Sequence, residues 1–151
     1  MNEADDLRPI RALLAEDHTR QLDLLRDATL LCTNGSFLSA AKVFAAFRMT
    51  QEQHALREEA LLARLRASGK CPELLASRAL AEHQQLRTLM DASWTAMCRN
   101  EVEASTLALT RLSVCVDDHE RGERDELLPA LVAALPGNKA VARAVRQLVE
   151  R

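Results

Sequence analysis

The spacing of the four histidines constrains the fold of this 151-residue chain more than any other feature of the sequence. His18 and His83 are separated by 65 residues, and His54 and His119 are separated by the same number. An internal repeat of this kind indicates a structural unit that occurs twice. The sequence therefore predicts two similar halves, each carrying two histidines.

The composition favours helices. Ala, Leu, Arg and Glu dominate, whereas the chain has only 3 Phe, 1 Trp and no Tyr, so the aromatic residues that strands prefer are scarce. Apolar periodicity and turn residues predict four long helices and a short fifth, over Pro9–Leu31, Leu38–Ala67, Glu73–Cys98, Val102–Leu135 and Lys139–Val149. We expect an all-α, up-down-up-down four-helix bundle with a short C-terminal fifth helix, and one domain over residues 1–151.

The histidines are predicted to lie at one height in this bundle. In each half the first histidine comes 17 residues before the turn residue, Gly35 or Asn100, and the second comes 19 residues after it. In addition, Glu58 and Glu123 each follow a histidine by four residues, which places the carboxylate on the same helix face one turn away. Four imidazoles and two carboxylates should therefore converge in the bundle core.

Such a set of side chains is typical of a metal centre. Six protein ligands are too many for one tetrahedral zinc ion, and they suit two metal ions that each take two imidazoles, share two bridging carboxylates and keep open positions. Imidazole with carboxylate favours iron, and the Glu-x-x-His motif of ferritin-like sites is absent. The predicted metal ligands are His18, His54, Glu58, His83, His119 and Glu123.

Several neighbouring residues allow two interpretations. Arg87, one turn after His83, either hydrogen-bonds a bridging carboxylate or extends into solvent, and Cys115 either approaches the metal layer or is a small core residue. The polar residue before each histidine either accepts a ring N–H from a neighbouring helix or is simply solvated; these residues are Asp17, Gln53, Glu82 and Asp118.

Charge and hydropathy exclude several classes of partner. The net charge is -2, with acidic and basic residues interspersed, so we expect no nucleic-acid partner. No stretch reaches about 18 uncharged apolar residues and the N-terminus lacks an apolar leader segment, which predicts no membrane association and a cytoplasmic location. The four cysteines form no CxxC pair, so reduced thiols are expected.

Four segments of the sequence resemble the helices of the haemerythrin-like HHE cation-binding domain family: RPIRALLAEDH, QEQHALREEALLARL, LAEHQQLRTLM and DDHERGERDELLPAL. The resemblance covers residues 8–135 and implies a non-haem di-iron centre held by the six residues named above. Oxygen-carrying haemerythrins have a second histidine where this chain has Arg87, and an Asp at i+5 where it has Glu123 at i+4. The ligand order is closest to the di-iron domain of bacterial repair-of-iron-centres proteins, which are linked to oxidative and nitrosative stress.

The resemblance implies a protein with two oxo- or hydroxo-bridged irons that binds dioxygen, nitric oxide or peroxide. We expect a role in sensing or in oxidative and nitrosative stress handling rather than bulk oxygen carriage. Two alternatives are an iron donor for damaged iron-sulfur centres, which requires a protein partner, and a di-iron enzyme that decomposes peroxide. The sequence leaves open whether the protein is an enzyme, which metal fills the site and whether the bundle forms a homodimer.

Overall fold

The computed structural model describes residues 7–150, and its regular elements are all helical, as the sequence predicts. The four long helices are α1 (Arg8–Thr33), α2 (Phe37–Ala67), α3 (Glu73–Cys98) and α4 (Val102–Gly122). A π-helical turn (Glu123–Leu127) follows α4, and two shorter helices, α5 (Leu128–Ala134) and α6 (Asn138–Val149), complete the described chain. Helix α1 packs against α2 and α4, and α3 packs against the same two helices. Consecutive helices are thus neighbours joined by short turns, which gives the predicted up-down-up-down bundle.

The 65-residue repeat extends to the helix boundaries. Helices α1 and α3 begin at positions 8 and 73 and end at positions 33 and 98, and α2 and α4 begin at positions 37 and 102. The turns also correspond, because Gly35 and Asn100 both have left-handed backbone angles, with φ of 73° and 56°. In the first turn, the Ser36 N–H donates to the Leu31 carbonyl at 2.8 Å, and the Asn100 turn closes with the same hydrogen-bond pattern. This equivalence places the two halves at matching heights.

The segment predicted as one helix over Val102–Leu135 is helical as far as Ala134, but it is not regular, because a π-helical turn begins at Glu123. Pro129, near the start of α5, accounts for the interruption. Proline has no N–H to donate to the carbonyl of Asp125, and its ring crowds that carbonyl. A π-turn, which adds a residue to the helical repeat, relieves the conflict. As a result, Glu123 is the first residue of an irregular turn rather than a residue within a regular helix.

The buried apolar residues form two clusters on either side of the histidine level. The first cluster joins the start of α1, the end of α2, α5 and α6, and includes Leu14, Leu62, Leu128 and Val145. The second lies toward the turns at Gly35 and Asn100 and includes Leu25, Phe44, Phe47, Met90 and Leu112. Full burial of one such side chain contributes about 1.5–3 kcal/mol. The two clusters therefore hold the four helices rigidly above and below a polar layer.

Candidate metal centre

The structure brings all six residues predicted as metal ligands into one buried layer. His18 lies on α1, His83 on α3 and His119 on α4, while α2 provides both His54 and Glu58. Each of these residues, like Glu123, is between 1% and 5% exposed. The antiparallel arrangement and the equal turn lengths place these positions at the same height, as the spacing predicts.

Each of the two carboxylates lies between the two imidazoles of the opposite half of the chain. Glu123 has His18 Nε2 at 2.8 Å from its Oε2 and His54 Nε2 at 2.6 Å from its Oε1. Glu58 has His83 Nε2 at 2.9 Å and His119 Nε2 at 3.3 Å, both measured to its Oε2. Every histidine therefore points its Nε2 atom inward, toward a carboxylate of the layer.

A tighter group lies at the centre of this layer. One ligand atom from each of His54, Glu58, His119 and Glu123 lies within 4.8 Å of the others. Both carboxylates belong to this group, and His119 Nε2 also lies 3.7 Å from Glu123 Oε1. The two halves of the layer therefore meet at Glu58 and Glu123. These are the two residues predicted from the sequence to bridge a metal pair.

The outer ring nitrogens of all four histidines face further carboxylates. His83 Nδ1 lies 2.8 Å from Glu59 Oε1, and His119 Nδ1 lies 2.7 Å from Glu82 Oε2. The separations are longer in the other half: His54 Nδ1 is 3.7 Å from Asp17 Oδ2, and His18 Nδ1 is 4.0 Å from Glu120 Oε2. At His83 and His119 the hydrogen-bonded carboxylate fixes the ring orientation and makes Nε2 the metal-binding nitrogen, whereas His54 Nδ1 has no hydrogen-bond partner within residues 7–150.

Two of these four carboxylates are among those that the sequence singles out. Asp17 and Glu82 face histidines of the neighbouring helix, whereas Gln53 and Asp118 are exposed. Glu59 and Glu120 were missed. Their only signal in the sequence is that each directly follows a predicted ligand, which is too weak to distinguish them from ordinary surface acids.

Within residues 7–150, Arg87 hydrogen-bonds neither Glu58 nor Glu123. Its Nε donates to Glu52 at 3.0 Å, and one terminal nitrogen donates to Glu59 at 3.1 Å. Since Glu59 in turn faces His83, Arg87 supports that imidazole through one intermediate carboxylate. Of the two interpretations of Arg87, the structure thus supports a polar role, but one directed at Glu59 instead of a bridging carboxylate.

The electrostatics of the layer favour positive charge at its centre. Burial lowers the pKa of His54, but the charge and hydrogen bond of Glu123 outweigh burial and raise that pKa to about 9. For His119, burial also lowers the pKa, but the nearby carboxylates of Glu58 and Glu82 outweigh burial and raise that pKa to about 11. Burial alone would raise the pKa of Glu123, yet the surrounding imidazoles hold it well below its usual range.

A buried acid borders the layer on the α1 side. Glu120 is 5% exposed, and burial, together with the negative charge of Glu123, raises its pKa to about 9. Its Oε1 atom has no hydrogen-bond partner among the described residues. Gln51 is similarly buried, and its Oε1 atom also lacks a partner within residues 7–150. Sequence reasoning found neither of these groups.

The residues of the layer fit bound metal cations. Two buried carboxylates need compensating positive charge, and the pKa values of His54 and His119 are raised because these imidazoles lie beside them. The buried Nε2 atom of His119 has no hydrogen-bond partner within the described chain, as expected for a ring nitrogen that would bind a metal once it is deprotonated. Four nitrogens and two carboxylates also form the mixed donor set that non-haem iron prefers.

Seven apolar side chains one to two helical turns from the histidines are buried. All seven are at most 5% exposed: Leu14, Phe47, Leu61, Leu62, Leu112, Leu127 and Leu128. Cys115 is half-buried and accepts a hydrogen bond from Gln85 at 3.5 Å, which favours its interpretation as a packing residue. The four cysteines, all within residues 7–150, are free thiols.

None of the helices within residues 7–150 is long and apolar enough to cross a membrane.

Comparison with known proteins identifies the family. No curated protein and no solved structure matches the chain. The family model of the hemerythrin HHE cation-binding domain, however, matches residues 10–131, which include all six residues of the buried layer. The chain therefore belongs to the hemerythrin HHE cation-binding domain family.

Proposed function

We propose that the protein is a non-haem di-iron protein that binds dioxygen, nitric oxide or peroxide, in sensing or in handling oxidative and nitrosative stress. The observation that supports this proposal is the buried layer in which four Nε2 atoms converge on Glu58 and Glu123. The family match adds that such a domain binds cations. The cytoplasmic location expected from the sequence agrees with this role and stays a prediction.

The ligand set divides naturally between two metal positions. His18 and His54 would hold one iron, His83 and His119 the other, and the two glutamates would bridge them. Each iron then has fewer protein ligands than an octahedral ion accepts, so positions remain for a small molecule. Iron in such a site supplies open coordination positions and one-electron redox chemistry for diatomic molecules or peroxide.

The other residues of the chain prepare the site for this chemistry. Glu59 and Glu82 accept hydrogen bonds from the outer ring nitrogens of His83 and His119, and so keep both Nε2 atoms available for the metal. The surrounding leucines exclude bulk water, which strengthens the electrostatic interactions of the layer. The layer presents no side chain with a clear role as a catalytic acid or base. We therefore propose that the site binds its small molecule rather than turning it over as an enzyme.

Metal content is the first test of the proposal. Protein purified aerobically should contain two irons per chain and show absorption bands from bridging oxygen to iron. We expect His54→Ala and Glu58→Ala to lose most of this iron and to melt at a lower temperature, because metal bound only to the folded state stabilises it. Gln53→Ala is a matched control, since Gln53 is the exposed neighbour of His54.

Two results would refute the di-iron proposal. One is unchanged iron content in both ligand variants, and the other is a wild-type protein that takes up no iron on anaerobic reconstitution. If iron binds as expected, spectral changes on adding nitric oxide, dioxygen or peroxide to the reduced protein identify the small molecule that the site accepts.

Iron donation to damaged iron-sulfur proteins is a second candidate function, since a small cavity extends from the layer to the partly exposed side chains of Arg78 and Glu82. Iron-loaded protein should then restore a damaged cluster enzyme faster than the same amount of free iron, and no advantage over free iron would contradict this candidate. A peroxide-decomposing enzyme would instead consume peroxide continuously when loaded with iron.

A further inference from the structure

A narrow cavity leads from the metal layer toward the surface between α3 and the π-helical turn. Its volume is about 10 Å³, and its inner wall includes Glu58, His119 and Glu123. Its outer wall includes Arg78 and Glu82, whose side chains are 43% and 32% exposed. A cavity of this size holds roughly one water molecule. The layer is thus separated from solvent by only a few side chains at this point.

The guanidinium of Arg78 closes the outer end of this cavity. Its Nε lies 3.3 Å from Glu82 Oε1, and a terminal nitrogen lies 2.5 Å from Glu126 Oε2 in the π-helical turn. The other oxygen of Glu82 contacts His119 Nδ1. One cation therefore sits between two carboxylates, and one of these carboxylates is directly connected to a histidine of the layer.

The guanidinium of Arg78 lies against α4 at Gly122. A Cβ atom at position 122 would lie 3.4 Å from a terminal nitrogen of Arg78, which is ordinary van der Waals contact. Both of the ion pairs that Arg78 makes are partly exposed, and such pairs contribute little stability. The side chain can therefore swing into solvent at small cost.

The equivalent positions of the other half carry different residues. At the repeat positions of Arg78, Gly122 and Glu126, the first half has Leu13, Arg57 and Leu61. Leu61 is 5% exposed and belongs to the apolar cluster that α6 covers, and Leu13 packs against that same cluster. The charged opening is thus a feature of one half alone, although the layer itself is nearly symmetric.

We propose that iron enters and leaves the metal layer through this opening, with Arg78 as its gate. This inference rests on the proposed di-iron function. When the guanidinium swings out, Glu82 and Glu126 present two carboxylates to an incoming divalent cation, which takes the position that the guanidinium occupied. The cation then passes Glu82 to reach His119 and the bridging glutamates. Arg78 thereby competes with the metal ion for the carboxylates of Glu82 and Glu126.

Uptake kinetics test the gate separately from the metal centre. Metal-free protein is mixed anaerobically with ferrous iron, and the loading rate, the final iron content and the rate of extraction by a chelator are measured. We expect Arg78→Ala to load and to release iron roughly tenfold faster than wild type, with unchanged final content, because a competing positive charge is removed from the entry. Glu126→Gln should load more slowly and reach the same final content.

Arg121→Ala is the matched control. Arg121 precedes Gly122, is exposed and pairs with Asp117 and Asp118, so this variant removes the same charge nearby without opening the cavity. Equal loading and extraction rates for Arg78→Ala and wild type, or the same acceleration in Arg121→Ala, would overturn the gate while leaving the di-iron proposal intact. A wild-type protein that binds no iron would overturn both. If Arg78→Ala does not fold, Arg78→Gln provides the same test with a polar side chain in place.

Discussion

Glu123 illustrates how the chemistry of one residue depends on side chains far away in the sequence. It contacts His18, 105 residues earlier, and His54, 69 residues earlier. Burial by itself would favour its neutral form, yet these imidazoles keep its pKa well below the usual range. In the metal-free protein the imidazolium of His54 thus supplies positive charge that bound metal would otherwise supply.

This charge balance predicts that the metal-free protein loses stability in alkaline solution. The folded-state pKa of His54 is raised from 6.5 to about 9, so its stabilising charge is complete below pH 6.5 and is lost as the pH rises through about 9. The raised pKa of Glu120, about 9, acts in the same direction, because its buried carboxyl group is stable only when neutral. We expect the melting temperature of metal-free protein to fall by several degrees over this interval.

Thermal melts of metal-free and iron-loaded protein at a series of pH values provide the measurement. The loaded protein should show a much smaller decrease, since metal-bound imidazoles are already deprotonated. A metal-free melting temperature that stays constant or rises between pH 6.5 and about 9 would contradict this account of the layer.

At the scale of elements, the turns and the π-helical turn decide how well the helices align. Gly35 and Asn100 hold the same left-handed turn at equivalent positions, but only glycine adopts this conformation without steric cost. The π-helical turn after α4 has no counterpart in α2, which continues as a regular helix to Ala67. Pro129 is likewise present in one half only, since Arg64 occupies the repeat position.

The turn at Asn100 offers a stabilising substitution. We expect Asn100→Gly to raise the free energy of unfolding by about 0.5–1 kcal/mol, because the backbone at φ 56° is strained for a residue with a side chain. Asn100→Ala should lower it, since alanine tolerates this conformation less well than asparagine. Urea denaturation of the three proteins gives the comparison, and a destabilised Asn100→Gly variant would show that the asparagine side chain outweighs the backbone strain.

At the scale of the whole molecule, α6 covers one end of the bundle without contributing to the metal layer. It packs against α1 and α2 and buries Val141, Ala144, Val145 and Leu148. Helix α6 thus covers the two helices of the first half, whereas the cavity at Arg78 lies in the second half. An internally repeated bundle thus becomes asymmetric through a helix that is outside the repeat.

Truncation of a buried residue in α6 should therefore affect stability and metal binding differently. Leu148 is 2% exposed, and we expect Leu148→Ala to lose about 2–4 kcal/mol of unfolding free energy while keeping the iron content of wild type. Leu107→Ala, at a position that is 52% exposed, is the control and should change little. Urea denaturation and iron analysis measure the two effects, and a parallel loss of iron in Leu148→Ala would show that α6 supports the layer directly.

Much of the candidate site was predictable, because residue spacing within single helices and turns is enough to place its side chains. Helical periodicity places His54 and Glu58 on one face, and equal distances from the turns place all four histidines at one height. The outer carboxylates were predicted only in part: Asp17 and Glu82 were considered, whereas Glu59 and Glu120 were not. Which acid reaches which imidazole depends on how neighbouring helices are rotated against each other, and residue spacing carries no information on that rotation. The interpretation of residues 1–151 as one domain stays a prediction.

By itself, the sequence determined that this chain forms a repeated helical bundle and which six side chains meet in its core. Both conclusions rest on spacing along single helices and on turn lengths, which are local properties of the chain. Only the tertiary structure decided where the last long helix is interrupted, which acids orient the imidazoles and where the layer approaches solvent. These features arise from contacts between helices, where Pro129, Arg78 and α6 act differently on two halves that are nearly equivalent in sequence pattern.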